Sequence, residues 1–240
     1  MANENGEWIM HGVAEDDPLC LKNCDDLIRC VNELGFLPLF QNTVPGFSVE
    51  ERTVPYFWWT GDPVHDPWEW RIQATARAEV AYGKFFDNKA GFISLDWLPY
   101  FANWRRDGYD FDARYDDEKA GFRQKKIMDC FNDADELYSF NLKRKAGFGA
   151  DGEKNFEGTV TGLQMQTYLA IKAFRCRRNK RGEEYGWHIA VYAMPESIFG
   201  VDAVTSAYSE SPEVSRQRIY TRMKDLFPDA TDEQVHAILR

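Results

Sequence analysis

Five cations crowd one short stretch, Arg175, Arg177, Arg178, Lys180 and Arg181, and Lys143-Arg144-Lys145 forms a second cluster upstream. Guanidinium and ammonium groups at this density suit phosphate, because each contact releases condensed counterions. A different chemistry is spelled out between Trp58 and Arg71. Four indoles, Trp58, Trp59, Trp68 and Trp70, alternate there with Asp62, His65, Asp66, Glu69 and Arg71. Rings interleaved with charges suit a pocket that stacks a flat ligand or an extruded base. Asp62 and Glu69 are then candidate acid/base groups. The same mixture also describes an aromatic core whose indole N–H groups need polar partners.

Other motifs fail on context. Gly147-Phe-Gly149-Ala-Asp-Gly152 has the spacing of a dinucleotide fingerprint, but it follows a basic helix instead of a strand. The acidic run from Asp107 to Glu118 lacks the glycine and terminal glutamate of a calcium loop. Cys20, Cys24 and Cys30 are not spaced as zinc ligands, and the four histidines are scattered. Ser48 and Ser94 have no nucleophile-elbow context. No metal and no cofactor are expected.

What must carry the remaining groups is a folded chain. Its 240 residues, 44% of them hydrophobic, can fill one large core or two ordinary ones. Aromatics at 15% exclude disorder. No apolar run reaches 18 residues, so no transmembrane helix is expected, and Met1–Asp17, with five acids, is no signal peptide. Five cysteines, an odd number, point to free thiols in a reducing cytoplasm. The net charge of −10 argues against a polybasic arm, yet residues 121–181 sum to +6. That third is a candidate polyanion surface; pairing with the acidic flanks is the competing reading.

Apolar spacing predicts a helix over Leu19–Leu34 ending at Gly35, and Asp66-Pro67 caps another from Trp68 to about Ala81. Residues 56–115 hold 17 of the 36 aromatics, broken by Gly, Pro and Asp, and read as a loop-rich unit. From Ala120 three helices are predicted: Phe122–Phe131 with Phe122 inward, Phe140–Ala146, and Phe156–Gln166. A strand over Thr167–Phe174, a basic turn and a strand over Tyr185–Ala193 follow. Three helices and a hairpin are the winged-helix arrangement, in which the third helix enters a groove and the hairpin tip meets phosphate. Ser211 and Thr231 cap two last helices. The expected fold is α+β and mainly α, with tandem winged-helix-like units. An acidic lead covers 1–17, a unit with an aromatic insert 18–120, a unit with a basic wing 121–200, and C-terminal helices 201–240.

Leu34-Gly-Phe-Leu-Pro-Leu-Phe40, Val44 to Arg52 and Phe57-Trp-Trp59 resemble the front of the AlkZ/YcaQ-type winged-helix DNA glycosylases, which release alkylated or crosslinked bases. Ala90 to Phe101 and Tyr185 to Glu196 resemble later parts of those enzymes. GFLPLF, PGFSVEE, DPWEWR, YGKFF, KAGFIS, RRDGYDFDARY and LQMQTYL are similar to the set called AlkZ-related proteins, over about residues 19–227. The resemblance implies a DNA-directed fold. It does not carry the chemistry across. The glycosylases place Gln-x-Gln or Gln-x-Asp just after the Leu-Gly, where this chain has Pro38-Leu39-Phe40, with Gln41-Asn42 beyond. Gln164-Met165-Gln166 matches the letters in the wrong unit and is expected to end a DNA-facing helix. The longer enzymes' C-terminal barrel is not expected after residue 200. DNA binding without the catalytic pair is therefore the expected function. The alternatives are an active glycosylase using Asp62, Asp66 or Glu69, or a module for a protein partner or a small molecule.

Overall fold

The structure, a computed structural model, describes residues 9–240, so the first eight residues of the acidic lead lie outside the described residues. The Asn23 side chain accepts from the Asp26 amide and starts α1, Cys24–Leu34, which Gly35 ends at a φ of 99°. A Cβ at Gly35 would lie 2.7 Å from the Trp97 ring, so only glycine fits that cap. The helix begins five residues later than its apolar spacing suggests. The Leu19 and Lys22 amides are held by the Asp17 and Asp26 carboxylates, an alternative to helical bonding.

Strand β1 (Phe36–Pro38) follows, then two 3₁₀ turns, at Glu50–Arg52 and Pro55–Phe57. Helix α2 (Pro67–Arg77) is capped by Asp66 as expected, but it stops at Ala78 in the left-handed region. Val80 already opens β2 (Val80–Phe86), which turns through Asp87 and Asn88 into β3 (Lys89–Ser94). Both turn residues have positive φ, 46° and 62°, as a tight two-residue hairpin requires. The loop-rich reading of this segment thus missed a hairpin. The sheet is antiparallel in the order β1-β3-β2.

Helices α3 (Leu98–Arg106) and α4 (Phe111–Asp116) lead to the second half. It runs α5 (Phe122–Met128), β4 (Leu137–Tyr138), α6 (Ser139–Lys145), α7 (Phe156–Met165), β5 (Ala170–Arg178) and β6 (Glu184–Ala193), with sheet order β4-β6-β5. Each half therefore repeats one connectivity: helix, strand, helix, hairpin, with the last strand in the middle of the sheet. In the first half the 3₁₀ turns stand where the second has α6. Helices α8 (Pro195–Phe199), α9 (Val201–Thr205), α10 (Pro212–Leu226) and α11 (Asp232–Leu239) complete the described chain. Helix exceeds strand, 46% to 17%, so the fold is α+β and mainly α.

Two expectations in the second half are corrected. Phe122 is 60% exposed and does not join the core. Strand β5 begins at Ala170, after Thr167 takes a φ of 62°, and runs on to Arg178, so the first cations of the basic cluster are strand residues.

Two cores result. The first gathers Phe36, Phe47, Trp70, Phe86 and Phe101 with Ile219, Met223, Val235 and Ile238, so α10 and α11 pack back on the first half. The second is built from Ile127, Leu142, Phe156, Val160 and Leu163. Phe36 sits at the centre of the first, edge-on to Phe47, Trp97 and Phe101 at centroid separations of 5.0–5.9 Å. Phe36→Ala is expected to cost about 3–5 kcal/mol and to lower the calorimetric midpoint by roughly 10 °C. A shift of under about 2 °C would mean that this ring does not anchor the core.

Candidate nucleic-acid interface

The hairpin β5–β6 and helix α6 carry both basic clusters, and the Arg177–Phe140 contact brings them together. The hairpin tip is organised by Asn179, whose Oδ1 accepts from the Arg181 and Glu183 amides at 2.8 and 3.1 Å. Gly182 turns the chain at a φ of 82°. This local scaffold leaves Lys180 and Arg181 exposed. Farther down β5, the Arg177 guanidinium lies 4.6 Å from the Phe140 centroid, a cation–π contact that ties the hairpin to α6. Helix α6 carries Lys143, Arg144 and Lys145, all exposed, in its last turn, where its dipole favours cations.

Only part of the basic third is available. Glu136 pairs with both Lys172 and Arg175, Glu184 with Arg178, and Asp133 with Lys145. Lys143, Arg144, Arg177, Lys180 and Arg181 pair with no carboxylate among the described residues. The pairing is thus mostly internal to residues 121–181, with Glu184 the one partner among these acids that lies in a flank. The Arg175 hydrogen bond, against burial and with help from Lys172, holds the Glu136 carboxyl below its ordinary value.

The third helix of this half does not present a reading face along its whole length. Gln164 is fully buried, and its Oε1 accepts from the Lys84 amide on β2 at 3.0 Å. Lys84 also reaches the Thr161 hydroxyl at 3.3 Å. A Cβ at Gly83 would lie 3.2 Å from that Gln164 oxygen and 2.9 Å from the Phe85 ring, so glycine permits the approach. The expectation that Gln164 faces DNA is therefore corrected: it seals one half against the other. Gln166 accepts from the Gln124 amide at 3.1 Å and closes α7 onto α5.

The aromatic segment is corrected in the same way. Trp58 and Trp70 are buried, their indole N–H groups donating to the Thr53 hydroxyl and the Val64 carbonyl at 2.9 and 2.8 Å. Arg71 is only 8% exposed and lies between Trp68 and Phe174, 3.6 and 4.2 Å from their centroids. Because Phe174 belongs to β5, this stack joins the two halves. Burial draws the Arg71 pKa down, with Tyr82 beside it as a partial offset. Trp59 alone of the four is largely at the surface.

Two of the nearby acids are engaged with the backbone. Asp66 is fully buried and accepts from the Trp59, Gly61 and Trp68 amides at 2.8–3.1 Å. Asp62 is bonded to the His65 ring and the Val64 amide, each at 2.8 Å, and the His65 bond leads in holding its carboxyl below the ordinary value. Glu69 is half-buried in the first turn of α2. Beside Pro38-Leu39-Phe40, sequence reasoning missed Glu50. It is buried, and its carboxylate accepts from the His11 and Gln41 amides at 2.9 Å each.

The cavities lie elsewhere. Grooves of about 540 Å³ run between α3 and α10, at Trp97 and Arg218, and beside α1, at Asn32 and Arg77. One of about 340 Å³ at Phe111, Met128 and Tyr168 has Arg106 in its wall. All three guanidinium nitrogens of Arg106 are engaged, by Glu196, Tyr208 and Thr167.

A family model described as AlkZ related matches residues 21–240, nearly the whole described chain. The chain belongs to the AlkZ-related family. No curated protein and no solved structure matches it. In this AlkZ-related chain no helix among the described residues is long and apolar enough to cross a membrane.

Two expected outcomes follow from this geometry. Asp66→Ala removes the shared acceptor of three part-buried amides and should cost about 1–3 kcal/mol in urea unfolding. A neutral result would release Asp66 from its capping role. Glu136 has a lowered folded pKa, so its contribution is present above the ordinary carboxylate range and is lost as pH falls through the folded value. Between about pH 5 and pH 3, Glu136→Gln should therefore lose less stability than the parent. Parallel unfolding curves would argue against a stabilising Glu136 cluster.

Proposed function

We propose that this AlkZ-related protein is a cytoplasmic winged-helix protein that binds DNA through the phosphate backbone and does not excise bases. The observation that carries the reading is the set of five cations without carboxylate partners, Lys143, Arg144, Arg177, Lys180 and Arg181, on one helix and one hairpin. The order α5-β4-α6-α7-β5-β6, with β6 between its neighbours, supports a winged helix over 121–200. The repeated connectivity supports a second one over 18–120. Family membership supports DNA as the polyanion.

Sequence-independent contact is the mode this surface favours. The outward residues of α7 are Glu157, Gly158, Thr159 and Gly162, which include no Arg, Asn or Gln to pair with base edges. Base excision needs an acceptor free to orient water against the sugar–base bond. The acids of the aromatic segment are weak candidates because Asp66 and Asp62 already serve backbone amides. Pro38 and Phe40 supply no polar side chain at the place of the glycosylases' catalytic pair.

Fluorescence anisotropy across a salt series tests the binding. Replacing Arg177, Lys180 and Arg181 together by Ala should weaken binding equally across sequences and reduce the salt slope by roughly 2–3. Unchanged binding would move the site off the wing, and no binding by the parent would favour a protein partner. Incubation with duplex bearing 7-methylguanine, then alkaline cleavage, should give no strand breaks. Breaks that vanish in Asp62→Asn or Glu69→Gln would replace the proposal with a glycosylase.

A further inference from the structure

Trp187 is 92% exposed, on the strand that returns from the basic tip. The other tryptophans among the described residues are buried or half-buried, except Trp59 at 47%. Trp187 belongs to neither core, so folding does not account for an indole at this position.

The backbone around it is specialised as well. Arg175 pairs with Ile189 and Arg177 with Tyr185, so one β5 residue, Cys176, stands opposite three β6 residues, 186–188. The bulge is supported by Gly186 at a φ of 78° and by the Cys176 thiol donating to the Gly186 carbonyl. Bulges re-aim side chains and interrupt pairing. Here the interruption carries Trp187, with Tyr185, half-exposed, two residues away.

Across the hairpin Arg177 pairs with Tyr185, two residues from Trp187, and the tip that joins the two strands carries Lys180 and Arg181. An indole on the same hairpin as such cations is the combination that single-stranded nucleic-acid sites use: charge tracks the backbone while rings stack on bases of any identity. A paired duplex keeps its base faces covered, and an unpaired or extruded base exposes one. We propose that Trp187 is a base-stacking residue and that the ligand of the wing is DNA with unpaired bases. This rests on the DNA-binding reading above and narrows its substrate class.

The experiment measures anisotropy with three labelled probes: a plain duplex, the same duplex with a bubble of unpaired bases, and the single strand. The parent should bind bubble and single strand roughly tenfold tighter than duplex. Trp187→Ala should erase that preference while leaving duplex affinity and salt slope unchanged, and Trp187→Phe should keep most of it. The side chain lies outside both cores, so thermal melting of the variants should match the parent. Equal affinity for duplex and bubble in the parent, or an equal loss on all three probes in Trp187→Ala, would overturn the stacking role alone. Absence of binding to every probe would instead remove the DNA-binding reading beneath it. Binding of Trp187 to anionic vesicles in place of DNA would assign the indole to a lipid surface and overturn the proposal.

Discussion

The hydrogen bond from the Lys84 amide to the buried Gln164 side chain decides which surfaces this molecule has left to use. Strand β2 is buried along nearly all its length, and an unpaired amide there would cost about 1–3 kcal/mol. Gln164 satisfies it only because Gly83 lets α7 come close. Once that contact forms, the inner side of α7 is held against its own core and against the first half. Arg71, stacked between Trp68 and Phe174, fastens the same seam a short distance away. The inner face of α7 is thereby committed to structure, while its Glu157–Thr159 side, α6 and the hairpin remain at the surface.

Charge is distributed to match. A net charge of −10 repels a polyanion at long range, but salt screens exposed charges beyond about 8–10 Å. Local arrangement therefore outweighs the total. Glu136 and Glu184 neutralise Lys172, Arg175 and Arg178 along the hairpin and Asp133 neutralises Lys145, while Arg177, the tip cations, Lys143 and Arg144 have no carboxylate partner among the described residues.

Several helices were legible in the sequence because they carry local signals. Asp66, Ser211 and Thr231 cap where their side chains said they would. Phe156, Val160 and Leu163 recur at helical spacing and are buried. The β2–β3 hairpin was not legible, for a physical reason. Its strands are buried on both faces, so VAYGKFF shows no alternation, and the Asp87-Asn88 turn was the only signal. The candidate site was half legible. The basic hairpin stands out by composition, but Gln164 is consumed by a contact 80 residues away, and Trp58 and Trp70 by partners 5 and 6 residues back along irregular backbone. Neither kind of pairing follows a helical or strand spacing that could be read. Trp187 was missed because exposure cannot be read from an alternating strand.

Carboxylates in and beside the aromatic segment do structural work that competes with chemistry. A carboxylate that activates water must keep an oxygen lone pair and its orientation free for substrate. Glu50, which lies against the Pro38–Gln41 strand end, gives one oxygen to the His11 amide and the other to the Gln41 amide. Asp66 gives both oxygens to three amides. Each acid replaces backbone pairing that the irregular, aromatic-rich chain does not make for itself, so withdrawing either one to serve a substrate would unpair part-buried amides and loosen the loop that positions it. The acids that hold this segment in shape are thus tied, oxygen by oxygen, to the backbone they support.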